Sequence, residues 1–191
     1  MGEVLQRSAE QVQPGSPLGI KRVGIGSQLY NDVLTFLYEE AMLLDQIRLQ
    51  EWTALLATDL VYTVPLRHTR TNAEQSTSVV RTVQHYHDDY RSIMGRVLRL
   101  SGKSAWAEDP PSRTRRMVSN LFVEETADPD VYIATSYLLL TRSRFRDDHV
   151  DIISGERRDV LRMTPEGLRL ARREVILDQT VLGTPNLAIF L

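Results

Sequence analysis

Residues 131–179 read VYIATSYLLLTRSRFRDDHVDIISGERRDVLRMTPEGLRLARREVILDQ. Three runs of strand length, rich in Val, Ile, Leu, Tyr and Thr, are separated here by turn-forming residues, the pattern of an antiparallel meander. Thr164-Pro165-Glu166-Gly167 places Pro where a turn needs a fixed φ and Gly where it can need a positive one, so residues 158–163 and 168–177 should form a hairpin. Ser154-Gly155 inside the second run predicts a bulge or kink. The alternation is imperfect: Val131, Ile133, Tyr137 and Leu139 share one face, while Tyr132, Ala134, Leu138 and Leu140 make the other face apolar as well. Such a sheet should be covered on both sides, by helices on one and by something else on the other.

The helices lie upstream. From Gln28, Leu29, Val33, Leu37, Ala41 and Leu44 recur at helical spacing, with Phe36 and Met42 widening the stripe. A second helix is expected over 45–57 from Ile47, Leu49, Trp52, Leu55 and Leu56, with Asp45 as the cap between the two. Residues 60–66, LVYTVPL, read as a strand that Pro65 marks as an edge or exit. The polar stretch 67–84 reads as a long loop with a short strand near Val79–Val83, and Asp88-Asp89 open a helix that Ser101-Gly102 closes. A loop over 103–112, a strand within 113–126 and an apolar ending, NLAIFL, complete the chain; the ending docks as a strand or plug or enters a partner. Residues 1–26 lack a sustained period and form an extended arm, leaving one domain over 27–191. Helices first and strands last predict an α+β fold, not a βαβ alternation.

The formal charge of −2, from 23 basic and 25 acidic residues in 191, gives no global attraction to nucleic acid or to an anionic membrane. The absence of cysteine excludes disulfides, thiolate nucleophiles, zinc ribbons and any iron–sulfur cluster held within this chain. No apolar run approaches the ~20 residues of a membrane span, and a cytoplasmic protein is expected.

Three groups of residues bear chemistry. His85-Tyr86-His87-Asp88-Asp89 contains the inventory of a non-haem iron triad, but it sits at a polar helix start where such residues serve as caps or solvated side chains. His68, His85 and His149 offer partners for an acid–base dyad with an aspartate, if the fold brings any of them together. The arginines, among them Arg113, Arg115, Arg116, Arg142, Arg144, Arg146, Arg157, Arg158, Arg162, Arg169, Arg172 and Arg173, suit bidentate pairing at protein interfaces. Glu156, Asp159, Glu166 and Glu174 on the same strands oppose a phosphate-binding use. Trp106, beside Pro110-Pro111, is an interface anchor or folds back on its own helix.

FLYEEAMLLD at 36–45, EWTALLA at 51–57, YTVPLRHTR at 62–70, DDYRSIMGRVLRL at 88–100, RRMVSNL at 115–121 and the closing NLAIFL occur in one order over one domain length. Together they resemble the β (small) subunit of bacterial aromatic-ring-hydroxylating dioxygenases. The resemblance implies a cystatin-like cone shared with nuclear transport factor 2 and scytalone dehydratase, with N-terminal helices on a long curved antiparallel sheet. It also implies assembly of three α with three β subunits, and no catalytic, cofactor-binding or metal residue in this chain. The Rieske [2Fe-2S] cluster and mononuclear Fe(II) would sit in the α subunit, fed from NAD(P)H through a reductase and ferredoxin to make a cis-dihydrodiol. A free-standing lyase or isomerase using a His/Asp pair in the cone, and a self-associating binding module, are the alternatives.

Overall fold

A computed structural model describes residues 21–101, 110–144, 148–184 and 186–191. Trp106, Arg146 and the arm up to residue 20 lie outside them. Helix α1 (Gln28–Asp45) begins where the Ser27 hydroxyl accepts the Tyr30 amide at 3.2 Å. Its buried stripe is Val33, Phe36, Leu37, Glu40, Ala41, Leu43 and Leu44, with Met42 left exposed. Asp45 is the last residue of α1 and caps nothing after it. Its carboxylate instead accepts from the Arg116 amide and the Thr114 hydroxyl, both at 2.9 Å, and pairs with the Arg116 guanidinium.

The second helix is shorter than its periodicity suggests. α2 covers only Leu49–Thr53, and the chain is strand from Leu56. The run ALLATDLVYTV fits either period. A parallel ladder supplies the deciding backbone partners, beginning with the Leu170 amide on Leu55 O at 2.8 Å. β1 (Leu56–Arg67) is consequently an inner strand rather than an edge, and Pro65, which has no N–H to donate, falls where its register with the next strand slips. A 3₁₀ turn (Asn72–Thr77) and a full strand, β2 (Val79–Asp89), replace most of the expected loop. β2 was hard to see because it is an edge strand with little buried side chain.

Helix α3 (Tyr90–Ser101) starts with a reciprocal cap. Asp89 Oδ1 accepts the Ser92 amide at 2.7 Å and Ser92 Oγ accepts the Asp89 amide at 2.8 Å. β3 (Arg113–Glu125), β4 (Val131–Ser143), β5 (Val150–Thr164) and β6 (Gly167–Leu177) form the meander. The sheet order is β2-β1-β6-β5-β4-β3, antiparallel throughout except for the parallel β1–β6 pair, so the sheet is mixed. The fold is the expected α+β class, with α1 lying on β3 and α3 against β1 and β2.

Thr164 pairs with Gly167 across the predicted hairpin turn, and Gly167 takes φ +106°. Gly155 forms no bulge; it holds register with Leu138 and Leu177. A Cβ there would lie 2.5 Å from the Ile176 carbonyl oxygen, so the glycine permits a close backbone approach. The irregularity in that ladder falls between Val160 and Leu161. The outer edge of β3 is guarded: Asp45 takes the Arg116 amide, and residues 21–23 lie along its far end through Val23 N to Val123 O at 2.8 Å.

Candidate functional site

Alternation along β4, β5 and β6 sends Ser136, Arg157, Asp159 and Arg173 to the face that the helices cover, and α1 presents Glu40 from the middle of its apolar stripe. All five are fully buried. Arg173 is held on both sides: Nη1 and Nη2 each donate to Glu40 at 2.7 Å, and Nε and Nη2 donate to Asp159 at 2.8 and 2.7 Å. Arg157 reaches Glu40 at 3.3 Å, and the Trp52 indole N–H donates to Glu40 at 3.2 Å. Burial pushes the Glu40 carboxyl up, but Arg173, Arg157 and the hydrogen bonds from Arg173 and Trp52 outweigh it and hold its pKa at about 2. Two guanidiniums face two carboxylates, so the group is neutral overall, a condition for keeping ions out of water.

The mouth of the cone is closed by residues 186–191. Ile189, Phe190 and Leu191 are buried, and the Phe190 ring lies 4.4 Å from that of Trp52 at 36°. The Tyr62 hydroxyl donates to Leu191 O at 2.7 Å and accepts the Leu191 amide at 2.9 Å. Arg116 donates to Phe190 O, Arg96 to Ile189 O, and the Tyr86 hydroxyl to Leu187 O. The apolar ending is thus a plug in this chain's own cone.

The residues singled out for chemistry do not converge there. His85 and His87 share one exposed face of β2, while Asp88 points the other way to Arg96 at 2.7 Å and Asp89 caps α3. His68 is exposed; His149 meets Asp151 at 3.2 Å with its own ring 70 % exposed. No three His, Asp or Glu among the described residues are placed to hold a metal ion. With no cysteine in the sequence, the chain cannot supply the thiolates of a Rieske cluster, and among the described residues no donor set fits a mononuclear iron centre.

The arginines divide into a buried and an exposed set. Arg116, Arg142, Arg157 and Arg173 are buried. Arg81–Glu174, Arg162–Asp59 and Arg158–Glu156 are pairs at the surface. Charges at every second position of a strand look the same whether they face water or the core, so Arg157, Asp159 and Arg173 could not be sorted by pattern. Glu40 could: a carboxylate four residues after Phe36 and four before Leu44 lies on the buried stripe and needs a buried cation.

The opposite face of the sheet carries Met117, Tyr137, Leu139, Val150 and Ile152, all exposed, with Met117 paired to Leu139 and Thr141 to Ile152. This is the second apolar side read from the alternation of β4.

Residues 39–184 match the family model described as "Ring hydroxylating beta subunit". The chain is 34% identical over 181 residues to the biphenyl 2,3-dioxygenase β subunit of Rhodococcus jostii RHA1, covering 93% of this chain and 96% of the relative. It is 35% identical over 168 residues to the 3-phenylpropionate/cinnamic acid dioxygenase β subunit of Photorhabdus laumondii, covering 86% and 93%. A naphthalene 1,2-dioxygenase structure with indole in its active site superposes with a TM-score of 0.75 over 84% of each chain at 23% identity, a likeness of fold. The chain therefore belongs to the β subunits of Rieske-type aromatic-ring-hydroxylating dioxygenases, noncatalytic subunits with a structural role in a complex whose chemistry takes place in the α subunit.

Proposed function

We propose that this chain forms the base of a cytoplasmic oxygenase of three α and three β subunits, meeting its neighbours through the outer sheet face. The α subunits carry the Rieske [2Fe-2S] cluster and mononuclear Fe(II) and receive electrons from NAD(P)H through a reductase and ferredoxin. They convert an aromatic hydrocarbon or aromatic acid and O₂ to a cis-dihydrodiol. No residue of this chain acts as catalyst or ligand, and the division into an arm over 1–26 and a domain over 27–191 belongs to the same proposal. Relatives at nearly equal identity bear the names of a hydrocarbon and of an aryl acid, so the arene is left at that level.

What carries this is one contrast: the buried Arg173, Glu40 and Asp159 are paired with one another inside the cone, while Met117, Tyr137, Leu139 and Ile152 stand exposed on the other side. Contiguous exposed apolar surface marks a protein partner. The test is co-expression with the neighbouring larger subunit. Leu139→Lys with Ile152→Glu should abolish co-purification while the isolated chain melts as before; full-yield co-purification of the double variant would place the contact elsewhere.

A further inference from the structure

The seat of residues 186–191 has the composition of a receptor for peptide backbone. The phenols and guanidiniums of Tyr62, Tyr86, Arg96 and Arg116, from four different elements, all donate to carbonyls of this one segment, and Arg142 adds a donor to Asn186 O at 2.8 Å. The Phe190 side chain fills the apolar floor against Trp52, with the Arg96 guanidinium 4.5 Å above its ring. None of these contacts is a strand ladder. The segment is joined to β6 by irregular chain in which Val181 is 84% exposed. An anchor aromatic in a pocket, with directed hydrogen bonds to successive carbonyls, is how a groove recognises an extended apolar peptide.

We propose that the mouth of the cone is a peptide-binding site, occupied in cis by residues 186–191, and that this segment is a separable ligand and not part of the cooperative sheet. The ligand class is an extended apolar peptide with one anchoring aromatic residue. Without these carbonyls Arg96 and Arg116 keep Asp88 and Asp45 as acceptors, while the Tyr62 and Tyr86 hydroxyls must turn to water. The same seat therefore refills when an equivalent segment is supplied. This goes beyond the assembly role, since it concerns the interior of the cone and not its outer face.

The test uses the full chain with Trp106→Phe, which leaves Trp52 as the remaining tryptophan of two, and with a protease recognition sequence inserted at Val181. The folded protein is cut and mixed with a labelled peptide of residues 183–191. The expected result is that the cut fragment co-elutes with the body, that excess labelled peptide displaces it saturably, and that displacement registers in Trp52 emission. A peptide with Phe190→Ala should bind at least about tenfold more weakly, as for loss of an anchor aromatic. Tyr62→Phe in the body should speed release of the fragment. Failure of the labelled peptide to enter, whether the native fragment has left or stayed, overturns the proposal. So does equal binding of the Phe190→Ala peptide.

Discussion

Glu40→Gln is the substitution that probes the interior most directly, because it keeps the volume and removes one charge. The carboxylate accepts from Arg173 twice at 2.7 Å, from Arg157 at 3.3 Å and from Trp52 at 3.2 Å. With glutamine in its place, two buried guanidiniums face the single carboxylate of Asp159. Breaking a buried pair by removing one partner costs roughly 3–5 kcal/mol. The titration of the same group leads to a similar figure. A folded pKa of about 2 against an ordinary 4.5 corresponds to about 3 kcal/mol of stability at neutral pH. The sign is that of a depressed carboxyl: the contribution is complete above about pH 4.5 and is lost as pH falls through 2, about 2 kcal/mol of it by pH 3. Urea unfolding of the native chain and of Glu40→Gln at pH 7, 5, 4 and 3 measures both quantities. The gap between the two proteins should be about 3 kcal/mol at pH 7 and should narrow steadily below pH 4.5. A gap under about 1 kcal/mol at pH 7, or one that does not change between pH 5 and 3, would refute the account of Glu40 as an ionised partner of Arg173 and Arg157.

The two glycines of contrasting surroundings should respond with opposite sign. Gly155→Ala sets a Cβ against the backbone at Ile176 and Leu177, which cannot give way, and should cost about 2 kcal/mol as overpacking does. Gly95→Ala, in exposed helix with nothing within 4 Å, should stabilise by about 0.5–1 kcal/mol; thermal melts of both report the difference. Asp45→Ala strips the acceptor from the Arg116 amide and guanidinium together and should cost about 3 kcal/mol in urea unfolding, more than a surface pair could. The outer-face double variant Leu139→Lys with Ile152→Glu should leave the isolated chain within about 0.5 kcal/mol of the original, because both side chains are 40% or more exposed.

The meander was legible because two signals agreed there: β-branched and aromatic runs of strand length, and a Thr-Pro-Glu-Gly turn whose glycine does take a positive φ. The border between α2 and β1 was not, since Leu55, Leu56 and Ala57 satisfy both periods and only a partner about 115 residues away, at Leu170, decides between them. Long-range pairing of that kind has no local signature. β2 was obscured for a different reason: as an edge strand it buries few side chains, so its period-2 signal is diluted by polar residues on both faces. The apolar ending reads from the sequence as a strand, a plug or a segment that enters a partner, and in this chain it is a plug whose backbone carbonyls, buried beside Arg96, Arg116 and Tyr62, are satisfied internally.

One sheet thus carries two kinds of surface with opposite requirements. On the inner face most ions are matched, Arg173 between Glu40 and Asp159, Arg116 with Asp45 and Arg96 with Asp88, while Arg157 has only the 3.3 Å contact with Glu40 and keeps two guanidinium nitrogens without a partner. Such matching leaves little freedom to exchange protons with a substrate, since a carboxylate fixed near pKa 2 is a poor base at neutral pH. Phe190 and Leu191 are themselves buried in the mouth. On the outer face Met117, Tyr137, Leu139, Val150 and Ile152 are exposed on β3, β4 and β5, with the Arg158–Glu156 pair beside Tyr137, an apolar patch with a charged border that suits contact with another chain. A cone stiffened from within by paired charges holds that outer face in one shape, and a fixed shape is what a structural subunit contributes to its complex.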